Sequence, residues 1–176
     1  MNTLEALMSR VSTRTFSDKP ISEEDMRTLL TAAMSGPSCT NARDWSFLVI
    51  RDKELLNKVA DGNGKYAAPL RRASAGILVC GDLSRAYQVA RDYWIIDGAI
   101  AAQNLILAAT ELGIGSVWLG TYPEMDRVEA QSKLFQLPEN IVPHSVIALG
   151  YPDEEAKNTP AKPKFYEEDR VHWDKW

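Results

Sequence analysis

Three stretches of this 176-residue chain carry residue types suited to binding chemistry. The first is Arg10-Val11-Ser12-Thr13-Arg14-Thr15-Phe16, which sets two arginines and three hydroxyl groups just after a short helix. Guanidinium forks and hydroxyls suit an anionic ligand, although a solvated helix end has the same composition. The second is Gly36-Pro37-Ser38-Cys39-Thr40-Asn41-Ala42-Arg43-Asp44-Trp45, a polar loop of ten residues that leads straight into a core strand. Loops of that kind often carry binding groups, and a plain connection reads the same way. The third is Gly115-Ser116-Val117-Trp118-Leu119-Gly120-Thr121, whose glycines let a backbone approach a planar ligand closely.

Other chemistry is missing from the sequence. There is no GxSxG elbow, no GxxxxGKS/T phosphate loop and no HExxH pair. His144 and His172 have no acid or cysteine at metal-ligand spacing, so no metal site is expected. His144 reads as a turn residue before a strand and His172 as a packing residue. Gly113-Ile114-Gly115 closes a helix and precedes a strand, the reverse of a dinucleotide fingerprint, and Gly113 reads as a helix C-cap.

The elements that must position these residues follow from periodicity. Leu4, Leu7, Met8 and Val11 recur at helical spacing. Ser22 caps a second helix, with Asp25 reaching back and Ile21 stapled on Met26, and that helix stops at Gly36-Pro37. Ser46 to Ile50, Ala75 to Cys80, Ser116 to Gly120 and Ser145 to Gly150 read as strands. Asp52 caps a helix through about Ala60, Asp61 to Gly64 is a turn, and Asp126 to Phe135 is a further helix. From Tyr93 to Leu112 the pattern is helical and apolar on nearly every side, which a small domain cannot wrap alone. Part of it is expected to meet a second subunit. Tyr151 to Trp176 mixes charges and prolines with Phe165, Tyr166, Trp173 and Trp176, and reads as an ordered arm lying on a surface.

Composition bounds the rest. One domain, 1–176, accounts for the length. Twenty basic against twenty-four acidic residues give a net charge of -4, which speaks against general nucleic-acid binding. Cys39 and Cys80 form no CxxC and suit a reducing compartment. The start has no apolar signal core, and the most apolar stretch, Ile95 to Gly120, is broken by Asp97, Gln103, Asn104 and Glu111. A cytoplasmic protein with no membrane span is expected.

Taken together, the chain resembles the nitroreductase family of FMN-dependent oxidoreductases in its compact form. The resemblance rests on Arg-x-Ser-x-Arg-x-Phe at Arg10, Pro-Ser-x-x-Asn-x-x-x-Trp at Pro37, Asp-x-x-x-Ala-x-Gln-Asn-Leu at Asp97, Gly-Ile-Gly-Ser-Val-Trp-Leu-Gly at Gly113, and Leu-Gly-Tyr-Pro at Leu149. It implies an α+β fold with a central mixed β-sheet, and a homodimer with an exchanged C-terminal arm (151–176) and FMN at the interface. Arg10 would bind the FMN phosphate, Ser12 would hydrogen-bond the cofactor, and Arg14 would sit beside the flavin N1 and O2. Pro37, Ser38 and Asn41 would reach the cofactor of the opposite subunit. Trp118, Leu119, Gly120 and Thr121 would line the ring, with a backbone N–H of Gly120 or Thr121 near N5. Arg71 would add a contact, and Lys162 and Lys164 would close over the phosphate. The implied reaction moves electrons from NADH or NADPH through FMN to a nitroaromatic, quinone or similar acceptor. Dehalogenation, desaturation, flavin fragmentation and non-catalytic FMN storage or sensing remain open alternatives. Arg43-Asp44 stand where the family commonly has Gln-Pro, which leaves the pocket over the ring and the acceptor open.

Overall fold

The computed structural model describes residues 2–157 and 164–176. Helix α1 (Thr3–Ser9) starts with a reciprocal cap, the Asn2 side chain accepting from the Glu5 N–H and the Glu5 carboxylate accepting from the Asn2 N–H. Helix α2 (Glu23–Met34) starts at Ser22, whose Oγ accepts from the Asp25 N–H. Asp25 reaches back to the Ser22 hydroxyl rather than to its backbone. Ile21 and Met26 are both buried in one core cluster.

Strand β1 (Trp45–Ile50), helix α3 (Lys53–Gly62), strand β2 (Ala75–Asp82), helix α4 (Tyr93–Glu111), strand β3 (Gly115–Gly120), helix α5 (Met125–Phe135) and strand β4 (Ile141–Gly150) complete the body. A one-turn helix, α6 (Glu154–Lys157), follows. The chain between α3 and β2 differs from the sequence reading. α3 runs through Asp61 and Gly62, Gly64 takes a left-handed φ of 82°, and Lys65–Arg72 form a 3-10 helix that holds Pro69. Strand β4 also begins earlier than its apolar core suggests. Pro143 falls at a register shift opposite Val79 and Cys80, where a missing N–H is tolerated.

The four strands are ordered β1-β2-β4-β3. Each of the three pairings is antiparallel, which corrects the expected mixed sheet. The parallel component is one isolated bridge, Ser12 with Ser116 on the outer side of β3. Side chains alternate across the sheet as a period of two requires. Ile77, Val79, Ile147 and Leu149 join α2 and α4 on one face. Leu78, Cys80, Val146 and Ala148 join α3 and the 3-10 helix on the other.

Helix α4 crosses the first face. Ala101, Ala102, Leu105 and Ala109 are buried there, while Tyr93 and Ile96 stay exposed, Ile96 at 52%. Leu4 and Met8 on α1, and Val11 just after it, are exposed as well. One apolar side of the molecule is therefore uncovered in the single chain. The arm begins with a Phe16–Pro152 bridge, and farther on Phe165, Tyr166, Trp173 and Trp176 are exposed. Nothing among the described residues of their own chain covers these aromatic side chains. Among the described residues, no helix is long and apolar enough to cross a membrane.

Candidate functional site

The segment after α1 is fixed against the outer edge of β3. The Thr13 N–H donates to the Ser116 carbonyl at 2.9 Å, beside the Ser12–Ser116 bridge. Thr13 turns inward and is buried on Gly115, where a Cβ would lie 2.7 Å from Thr13 Cγ2, so the close approach requires glycine. Ser12 and Arg14 consequently face outward and are exposed. The Arg14 guanidinium donates to the Ser12 carbonyl at 3.2 Å. Arg10 caps α1, and the Lys164 ammonium donates to the Leu7 and Arg10 carbonyls at 2.8 Å each. Cations at a helix C-terminus complete its orphan carbonyls. Partial desolvation and the neighbouring Arg10 hold the Lys164 amine below its ordinary range. Lys162 lies outside the described residues.

Beside Arg14 a groove of about 600 Å³ opens, lined by Lys65, Tyr66, Pro69, Arg72 and Trp118, with Val117 and Leu119 at its wall. Arg71 does not line it. Its guanidinium is paired with Asp61 at 2.6 Å, and the 3-10 helix presents Arg72 and Lys65 instead. The twin Arg71-Arg72 was a signal in the sequence, but helical phase decides between the two. A broader hollow of about 760 Å³ lies along the outside of α2, lined by Glu23, Arg27 and Thr31, and brings together no chemistry from other elements.

β3 is an edge strand, so alternate backbone groups point away from the sheet. The Ser116 carbonyl marks the outward set, to which Trp118 and Gly120 belong by alternation. The Thr121 N–H is taken by the His144 carbonyl at 3.4 Å, which leaves Gly120 as the better placed outward donor. Two residues missed in the sequence pin this corner. Buried Asn63 donates to the Gly120 carbonyl at 3.1 Å and accepts from the Thr121 hydroxyl at 2.8 Å. Arg127 donates to the same Gly120 carbonyl at 3.0 Å. The Trp118 ring meets His144 edge-on at 5.6 Å, and burial pushes the imidazole below its ordinary range.

The loop before β1 is a separate feature. Pro37 and Asn41 are exposed and Ser38 is half-buried, and none of them lines the groove of their own chain. Thr40, Asn41 and Arg43 have φ of 51°, 57° and 50°, each costing about 1 kcal/mol in a non-glycine residue. The loop is held by its ends. The Cys39 N–H donates to both carboxylate oxygens of buried Asp97 on α4, at 3.1 and 3.0 Å. Ser38 Oγ accepts from the Arg43 N–H at 2.9 Å.

At the loop's end stands Asp44, 1% exposed, with no hydrogen-bond donor on either carboxylate oxygen. Burial first, then the charge of Asp97, pushes its carboxyl up to about 6. Asp82, next to it on β2, contrasts with this. Hydrogen bonds from Ser84 and Asn140 outweigh its partial burial and hold it below the ordinary range.

Residues 7–151 match the model of the Nitroreductase family. A protein of Methanothermobacter thermautotrophicus named "Putative NADH dehydrogenase/NAD(P)H nitroreductase" is 42% identical over 176 residues, covering 100% of this chain and 88% of that protein. Among solved structures, an FMN-dependent nitroreductase from Clostridium difficile R20291 superposes with a TM-score of 0.84 at 27% identity, covering 98% of this chain and 99% of that one. The NADPH:FMN oxidoreductase of Vibrio harveyi, complexed with NAD+, superposes with a TM-score of 0.87 at 26% identity, covering 100% of this chain and 78% of that one.

Proposed function

Because the chain belongs to the nitroreductase family, we propose that it is an FMN-dependent oxidoreductase that uses NADH or NADPH to reduce nitroaromatic, quinone or similar acceptors. The observation that carries this reading is the cationic track beside β3. Arg10, Ser12 and Arg14 follow one segment tied to that strand, with Lys164 at one end and the groove at the other.

The donor set fits FMN. Arg10 and Lys164 converge on one place, as a phosphate group requires, and Lys162 joins them in this reading. Arg10 and Arg14 are four residues apart, so the chain can separate them by at most about 14 Å. Ser12 lies between them and offers a hydroxyl toward the cofactor's linking chain. Arg14 would stand at the N1 and O2 side of a bound ring, with Trp118 and Leu119 along it. The outward N–H of Gly120 is the donor toward N5, Thr121 serving to fix that corner through Asn63. Arg71 is the weakest member of the set, since it is paired with Asp61, and Arg72 and Lys65 take its place at the groove.

FMN, when bound, supplies hydride transfer in two halves, first from the nicotinamide donor and then to the acceptor. The chain's residues bind and orient. Arg14 would stabilise negative charge on the N1 side of a bound flavin. No side chain serves as acid or base in the hydride step, and the acceptor takes its proton from water.

Residues 1–176 act as one domain and pair with a second copy. The exposed apolar side of α1 and α4 supports this, as do the uncovered aromatics of the arm, which crosses onto the partner. In that pairing Pro37, Ser38 and Asn41 reach the partner's cofactor, consistent with their absence from the lining of their own groove. The cytoplasm is where such a protein finds its nicotinamide donor and keeps Cys39 and Cys80 as free thiols.

The test is anaerobic. Purified FMN-loaded protein mixed with NADH or NADPH should lose its oxidised flavin absorbance rapidly and regain it on addition of a quinone or nitroaromatic. Persistent colour with both donors would overturn the reductase reading and favour FMN storage or sensing. Removing residues 157–176 should weaken FMN retention and dimerisation together. A truncated chain that keeps both would take Lys162 and Lys164 out of the site.

A further inference from the structure

Asp44 ends the strained loop just before β1, and its carboxyl is sealed from water. The ionisable groups that face it are Asp97 from α4, Asp82 from β2 and Cys39 from the loop. None of these is a cation. Arg43, the adjacent guanidinium, lies 5.7 Å from the Trp45 ring instead. Asp97 is the charge that weighs most on Asp44, and two ionised carboxylates have only acceptors to offer each other. A proton on one of them creates the donor that both oxygens of Asp44 lack.

We propose that Asp44 and Asp97 hold one proton between them, and that this acid–carboxylate pair clamps the loop to α4. Asp44 is thereby a positioning residue for the cofactor contacts of Pro37, Ser38 and Asn41. The clamp has two points on a single carboxylate. Asp97 receives the Cys39 N–H at one end of the loop and the Asp44 O–H at the other. Three left-handed residues lie between those points, Thr40, Asn41 and Arg43, and such a backbone persists only where its surroundings hold it. When the shared proton leaves, one anchor is lost and like charges push the root of the loop from the helix. Asp82 does not compete for the proton, because Ser84 and Asn140 already supply its donors.

The proposal rests on the FMN reading for its effect on the cofactor, but not for the proton itself. Two measurements separate the two. The first is an infrared pH titration of the cofactor-free protein. The parent should show a protonated-carboxyl band that fades as pH rises through about 6, and Asp44→Asn should lack it. The second is the rate of FMN release from the loaded dimer between about pH 5 and about pH 8. An asparagine donates to Asp97 at every pH, so Asp44→Asn should release FMN slowly throughout. The parent should match it at the acid end and release about tenfold faster at the alkaline end. Asp44→Leu, which fills the space without a donor, should release fast at both ends. The phosphate of FMN titrates near pH 6 in all three proteins, so the difference between variants is the readout.

A parent without the band, or an Asp44→Asn variant that follows the parent's pH profile, would overturn the clamp. Slow release from Asp44→Leu would overturn it as well. If no variant and no parent binds FMN, the cofactor reading fails, and the infrared titration still decides whether the proton is shared.

Discussion

Two buried polar residues each fix one corner of the site, and they do it in opposite ways. Asn63 sits under the Gly120–Thr121 corner with its amide oxygen and nitrogen both engaged. Asp44 sits under the loop with neither oxygen met by a donor. Both are almost wholly buried, at 2% and 1% exposed. A neutral amide that is fully paired has no pH dependence and is expensive to remove. An acid facing another acid is costly when ionised and useful when protonated. The β3 side, which offers outward donors and cations, is thus rigid, while the loop side is built to respond to protonation.

The largest effect should come from the rigid corner. Asn63→Ala leaves the buried Thr121 hydroxyl without its acceptor and the exposed Gly120 carbonyl to Arg127 alone, and should cost about 3 kcal/mol in denaturant unfolding. A loss under about 1 kcal/mol would mean that Arg127 alone holds the corner.

The opposite sign is expected at the other corner. The folded state raises the Asp44 pKa from 3.8 to about 6, so between those values it binds more protons than the unfolded chain. Stability therefore falls as pH rises through that window, and the deficit persists above it. Asp44→Asn should abolish that slope and gain about 2 kcal/mol at neutral pH, with no gain below about pH 4. Thermal unfolding across the window measures both. A variant less stable than the parent at neutral pH would erase the contrast between the corners.

The two arginines of the β3 side should separate binding from redox tuning. Arg10→Ala should weaken FMN binding by about 2 kcal/mol, roughly thirty-fold, with the potential of bound flavin unchanged. Fluorescence titration with FMN reads the affinity. The smallest effect belongs to Arg14→Ala, which removes a charge near the part of the ring that becomes negative. A differential of about 1.4 kcal/mol lowers the two-electron potential by roughly 30 mV. Redox titration with FMN saturating decides it, and a larger shift in Arg10→Ala would exchange the two assignments.

Most of the elements were legible in the sequence because their signals are local. Ser22 and Asp52 mark helix starts by side-chain bonds to an N–H three residues on, and those bonds are present. Apolar runs such as Ala75 to Cys80 became strands buried on both faces. Arg10, Ser12, Arg14 and Trp118 were legible as candidates because charge and glycine spacing stand out; in the fold Ser12 bridges to β3, and Arg14 and Trp118 line one groove.

What the tertiary structure alone decided is which groups meet. Whether Arg71 or Arg72 faces the groove depends on the phase of a 3-10 helix that Gly64 and Pro69 shape after the end of α3. The sheet proved antiparallel because strand direction follows from how the helical connections return the chain to the sheet, not from strand composition. Asn63, 57 residues from Gly120, reads in sequence as part of an Asp-Gly-Asn-Gly turn. Asp44 and Asp97, in a polar loop and an apolar helix, carry no sign in the sequence that they will face each other. Their chemistry comes from burial and proximity, and both are properties of the packed chain: a carboxyl's pKa follows the dielectric and the charges around it, which residue order fixes only through the fold.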